Sequence, residues 1–269
     1  MKIVSLVFNY DLEKQKQSGR LWGDKGYRSK EYIFEYSAAS IATFLHHNPN
    51  LRYVVNTDDA VYLNDLIKKY KVNTKNLEIV DSSKEIEEWK KHKYCFNPAM
   101  MHYKEHMKSG EKVIKLDNDL TCLKPLTEEI LNFNGALIWE KEFPISRGRE
   151  YWGERKVARE VVGTEDFNSY NIGVFALSEK YVNLVDDMID IAYKMLDVDI
   201  SDIVFFKEDP TFKAKMWSCS EQTAYSYVID RDKLPVREMN DFFMHHCYGF
   251  TAKDNCIKEA KYLLRENND

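Results

Sequence analysis

The chain has 269 residues, 44% of them hydrophobic and 31% charged, with a formal net charge of −5. That length buries a sizeable core and suits an α/β domain, while the acidic balance offers no basic footprint for a nucleic-acid backbone. No apolar run approaches the roughly 20 residues that span a bilayer, and MKIVSLVFNY is too short for a signal core, so no membrane span and a cytoplasmic location are expected.

In chain order, IVSLVF (3–8) reads as a first strand, followed by a helical stretch over 31–46 and a second strand, RYVV (52–55). A helix over 61–70, a strand LEIV (77–80), a helix over 98–109 and a strand VIKLD (113–117) continue the alternation. Strands ALIWE (136–140) and IGVFAL (172–177) come next, with long connections at 141–168 and 197–217. Continuous apolar runs of this length suit strands buried on both faces. The stretch 179–196 places Val182, Val185, Met188, Ile189, Ala192 and Leu196 on one helical face. The pattern predicts one α/β domain over 1–269, built on a mixed, mostly parallel sheet sandwiched by helices. Five cysteines (95, 122, 219, 247 and 256) are scattered without a CxxC pair, which argues against a disulfide framework and a structural zinc site.

The chemistry concentrates after the fourth strand. VIKLDNDLTCLKPL (113–126) sets an apolar run against Asp117 and Asp119. In open α/β sheets, ligands sit at the carboxyl ends of strands, and carboxylates at i and i+2 can point the same way. Two such groups repel unless a cation neutralises them, and Mn²⁺ or Mg²⁺ takes carboxylates together with substrate phosphates. Asp-Asn-Asp is also good turn chemistry, so the pair alone leaves both readings open.

Three further segments follow in a telling order: SYNIGVFALS (169–178), SCSEQTAYSYVI (218–229) and FFMHHCYGFTAKD (242–254). With the Asp-x-Asp run, they resemble the FNSGVML, DQDALN and HxxGxxKPW segments of GT-A glycosyltransferases, family eight and its relatives in particular. The resemblance implies a Rossmann-like GT-A fold, a nucleotide diphosphate sugar as donor, and a glycan, lipid-linked or protein-linked acceptor. It implies a donor-binding half over 1–125 and an acceptor and metal half over 126–269. By the same resemblance Asp117, Asp119 and His246 would hold the metal, with neighbouring His245 taking that role if the loop is shifted. Asn9 and Tyr10 would meet the nucleotide, and Asn118, Lys93, Gly249 and Lys253 would complete the donor site. Asn171 would bond the transferred sugar or the acceptor, and Gly173 would leave room for that sugar. Gln222 matches the residue facing the anomeric carbon, and Glu221 the acid before it.

The match has departures. Lys253 follows Gly249 at a longer spacing with no Pro-Trp after it, Ile172 replaces Ser, and Thr223 stands where the helix motif has a second acid. Ser218 with Glu221 three residues on is also a capping box, a purely structural device. An inverting enzyme needs a carboxylate base, which Glu221 could supply; family eight implies retention instead. Tyr151, Trp152 and Trp217 read as core rather than sugar platforms. A sugar nucleotidyltransferase is the alternative enzyme, but no Gly-rich loop follows the first strand. A carbohydrate-binding module with a degenerate site is the non-enzymatic alternative.

Overall fold

The computed structural model describes residues 1–8, 30–90, 97–107, 111–147, 153–199, 219–246 and 252–265. Every expected strand forms: β1 (Lys2–Val7), β2 (Arg52–Thr57), β3 (Leu77–Asp81), β4 (Val113–Leu116), β6 (Ala136–Lys141) and β7 (Tyr170–Leu177). The short strands β5 (Leu120–Cys122), β8 (Val236–Glu238) and β9 (Phe243–His245) were not expected. Three residues carry too little periodicity to be recognised. The main sheet has seven strands in the order β3-β2-β1-β4-β7-β6-β8. Strands β3, β2, β1 and β4 run parallel, β7 is antiparallel to both β4 and β6, and β6 pairs parallel with β8. A second sheet consists of β5 and β9, antiparallel. This is the α/β, mixed and mostly parallel sheet sandwiched by helices that the strand and helix pattern predicts.

Strand side chains alternate between faces, and the two faces build two apolar layers. Ile3, Tyr53, Val55, Ile114, Leu116 and Val174 pack on one side, against α1 (Lys30–His47) and α2 (Ala60–Lys68). Val4, Val54, Val113 and Phe175 pack on the other, against α4 (Asn97–Met107), α7 (Leu184–Leu196) and α8 (Cys219–Arg231); α3 (Ser83–Lys90) precedes α4 in the chain. Each fully buried aliphatic or aromatic side chain contributes about 1.5–3 kcal/mol to holding these layers. The last helix, α9 (Ala252–Arg265), buries Cys256, Ala260 and Leu264 at i, i+4 and i+8. That single stripe lies along α1, whose residues 33–45 are nearly all buried.

Two local departures are seen. The apolar face expected over 179–196 breaks into a 3₁₀ turn at Glu179–Tyr181 followed by α7. The long connection 141–168 holds a helix, α6 (Glu154–Val162), following the short α5 (Glu128–Leu131) in helix order. Gly153 and Gly163 bracket α6 at φ of 77° and 75°, left-handed values that glycine adopts without a Cβ penalty.

Candidate functional site

The site begins where β4 stops. Leu116 is the last residue of β4 and pairs with Val174 of β7; the Asp117 N–H then donates to the Gly173 carbonyl at 2.8 Å. Asn118 turns the chain, its Nδ2 donating to the Leu6 carbonyl of β1 at 2.7 Å. This bond ties the acidic turn to the end of the neighbouring strand, a structural commitment for an amide expected in the donor site. Asp119 then leads into β5, so the two carboxylates occupy the corner between the main sheet and the small one.

Strand β9 supplies the third group. His245 lies opposite Leu120 in the β5–β9 register. Its Nε2 is 3.2 Å from Asp119 Oδ1 and 3.9 Å from Asp117 Oδ2. Among the described residues, Asp117, Asp119 and His245 each offer a ligand atom, all within 4.8 Å of one another. Two carboxylate oxygens and one imidazole nitrogen converge there as metal-ligating donors. The three groups therefore fit a divalent cation.

His246, the expected ligand, is placed elsewhere. Consecutive extended residues tend to face opposite ways, and here the His245 ring meets the carboxylates while the His246 ring meets Thr121. The His246 N–H donates to the Asp119 carbonyl, while its Nε2 lies 2.9 Å from Thr121 Oγ1 of β5. The ring is buried, and burial lowers its pKa.

Gly173 also has a different neighbour from the one expected. A Cβ there would stand 2.4 Å from His245 Cε1 and 2.6 Å from His245 Nδ1. The missing side chain makes room for the imidazole. Trp139 packs edge-on against the same ring with centroids 5.0 Å apart, its Nε1 donating to the Phe243 carbonyl at 2.9 Å. The imidazole is thus held by an indole, a bare α-carbon and a carboxylate.

Beneath the acidic turn lies a lysine that the sequence reading passed over. Lys115 shares a face with Asp117, two residues on, and only 7% of its side chain is exposed. Its Nζ is 2.8 Å from Asp117 Oδ1 and 4.0 Å from Glu221 Oε1. Burial alone depresses an ammonium pKa, but Asp117 and Glu221 outweigh it and the net direction is up. Glu221, in the first turn of α8, is pushed up to about 7 by burial, with Lys115 opposing the shift. The signal for Lys115 was legible in VIKLD: a cation in an otherwise apolar strand, in phase with the first aspartate.

Gln222 projects differently from its neighbour. Its Nε2 donates to Glu142 Oε2 at 2.8 Å and lies 3.2 Å from Ser169 Oγ. Asn171 is buried at the start of β7, its Oδ1 accepting from the Gly173 N–H at 3.0 Å. Asn9, Tyr10, Lys93 and Gly249 lie outside the described residues, as do the Lys253 side chain, Ser218, Tyr151, Trp152 and Trp217. Among the described residues, no helix is long and apolar enough to cross a membrane.

No family model matches the chain, and no curated protein matches it by sequence. Solved structures do. A crystal structure of an active-site mutant of LgtC aligns over 98% of this chain and 96% of its own, with a TM-score of 0.51 and 13% identity. The galactosyltransferase LgtC in complex with donor and acceptor sugar analogs aligns over 100% of this chain and 97% of its own, at 0.51 and 12%. At such identities the likeness establishes a shared architecture, and it runs from one end of the chain to the other: this protein has the fold of the galactosyltransferase LgtC.

Proposed function

We propose that the protein is a metal-dependent glycosyltransferase, one domain over its length, which moves a sugar from a nucleotide diphosphate sugar to a hydroxyl of a glycan or a lipid- or protein-linked acceptor. The observation that carries this reading is the Asp117, Asp119 and His245 group at the carboxyl end of a central strand, in a fold shared with a galactosyltransferase. Those three residues would hold Mn²⁺ or Mg²⁺, which when bound supplies positive charge to a departing diphosphate. The chain's own contribution is placement and electrostatics. Lys115 partly balances the acidic corner from below and keeps Asp117 turned into it. Asn171 and Gln222, from β7 and α8, are proposed to line the sugar.

Retention of anomeric configuration is the favoured outcome. The candidate base Glu221 is sealed against Lys115, with 9% of its side chain exposed, whereas Gln222 is only half-buried. In a retaining reaction the acceptor attacks on the face the leaving group vacates, and a diphosphate oxygen can take its proton. Residues 1–125 are proposed to bind mainly the nucleotide and 126–269 the acceptor.

The test is a panel of nucleotide sugars with Mn²⁺, following nucleoside diphosphate release. Release from one donor, abolished by chelation and by Asp119→Asn, is the expected result. Release that chelation leaves intact overturns the metal dependence. Sugar binding without turnover for any donor points to a binding module, and pyrophosphate formed from a sugar phosphate and a nucleoside triphosphate points to a nucleotidyltransferase.

A further inference from the structure

Glu142 follows directly on β6, and nothing in the sequence singles it out. It is fixed at both backbone and side chain. Its N–H donates to the Ser169 carbonyl at 2.8 Å, and its Oε2 accepts from Ser169 Oγ at 3.1 Å and from Gln222 Nε2 at 2.8 Å. The platform under this contact is itself tied down. Ser226 of α8 accepts from the Tyr170 N–H at 2.9 Å, and Asp230, one turn on, accepts from Asn168 and from the Tyr170 hydroxyl. The start of β7 and the helix carrying Gln222 are thus locked together, with Glu142 spanning the gap between them.

The consequence concerns which end of the Gln222 amide faces outward. Amide oxygen and nitrogen are told apart by their hydrogen-bond partners. A carboxylate only accepts, so the amide group facing Glu142 must be the NH₂. The flipped amide would set Oε1 against a carboxylate oxygen at the same short distance, which is repulsive. Gln222 Oε1 is therefore turned away from Glu142, and among the described residues nothing donates to it.

We infer that Glu142 is a positioning residue: by holding the NH₂ of Gln222, it fixes the Gln222 carbonyl oxygen toward the reacting sugar. This rests on the glycosyltransferase reading above. Sugar transfer passes through an oxocarbenium-like transition state, with positive charge at the anomeric carbon. A carbonyl oxygen aimed at that charge stabilises it, and an NH₂ in its place opposes it. A carboxylate serves this purpose better than a neutral acceptor because charge-assisted hydrogen bonds are the stronger ones.

The experiment has a substrate-free arm and a kinetic arm. The chain has three glutamines, at positions 15, 17 and 222, so glutamine-selective ¹⁵N labelling gives a spectrum simple enough to assign the Gln222 side-chain NH₂ by its loss in Gln222→Ala. Glu142→Ala should shift that signal, while Glu142→Gln, whose carbonyl can still accept, should largely restore it. In steady-state kinetics, Glu142→Ala should lower kcat about 10- to 100-fold, the worth of one hydrogen bond to a charged group. The donor KM should change little, and Glu142→Gln should recover most of the rate. The double variant Glu142→Ala/Gln222→Ala should fall no further than Gln222→Ala alone, because both changes remove one effect. An unmoved Gln222 NH₂ signal in Glu142→Ala overturns the contact. Additive losses in the double variant overturn the positioning role and make Glu142 a group that meets substrate itself. A wild-type protein that transfers no sugar while the NH₂ signal still responds to Glu142→Ala overturns the transferase reading, leaving the clamp as a purely structural contact.

Discussion

Replacing Gly173 by alanine tests the geometry of the metal corner without needing a substrate. The added Cβ would lie 2.4 Å from His245 Cε1, 2.6 Å from Nδ1 and 3.0 Å from Nε2. Carbon–carbon contacts are optimal near 3.5–4.0 Å, so the imidazole or the backbone must move by about 1 Å. The ring has little freedom to do so. Trp139 covers it edge-on, and Asp119 holds its Nε2 at 3.2 Å. Overpacking of this kind costs about 1–3 kcal/mol, which should lower Tm by several degrees. Its effect on the cation should be larger than that suggests. Groups that orient a metal-bound histidine change affinity by about 10- to 100-fold when lost, and a displaced ligand should do at least as much. Mn²⁺ binding, followed by the electron paramagnetic resonance signal of the free ion, should weaken at least tenfold in Gly173→Ala, with circular dichroism reporting a retained fold. Wild-type Mn²⁺ affinity in a folded Gly173→Ala protein would refute the placement of His245 against both Gly173 and the carboxylates.

Two further predictions use the same corner. His245→Ala should weaken Mn²⁺ binding at least tenfold. His246→Ala should leave it within about twofold and instead lower stability by about 1 kcal/mol, through the lost Thr121 contact; equal effects on Mn²⁺ from the two variants would contradict the register of β9. Glu221 carries a pH signature in metal-free protein. Its folded pKa of about 7 lies above the unfolded carboxyl value of about 4.3, so the native state binds the proton more tightly. The stability it contributes is full below about pH 4.3 and is lost as pH rises through 7, an effect on the order of 2–4 kcal/mol. Urea unfolding in chelator at pH 4.5 and pH 8 should show the wild type losing ground to Glu221→Gln by that order, and a constant difference would count against the buried placement of Glu221.

How much of the site was legible depends on how local its causes are. Asp117 and Asp119 could be found because an apolar run ending in acids marks a strand's carboxyl end, and period-two alternation does the rest. Lys115 was legible by the same rule, in phase with Asp117. The choice between His245 and His246 was misread, because the three-residue spacing to Gly249 favours His246 and says nothing of which ring faces the acids. It is decided by the pairing of β9 with β5, 125 residues away in sequence, where His246 gives its N–H to Asp119 and its ring to Thr121. Glu142 had no sequence signal, since its role exists only where the end of β6 meets α8.

The sequence by itself determined the alternation of strands and helices, the sandwiched sheet and the acidic turn at the end of β4. Each follows from short-range periodicity and from where polar groups interrupt it. Only the tertiary structure decided which histidine joins the carboxylates, that Gly173 makes way for an imidazole, that Lys115 faces Glu221, and that Gln222 is gripped by Glu142. Those outcomes depend on register and on close approach between segments far apart in the chain, and neither distance nor register is written in local pattern.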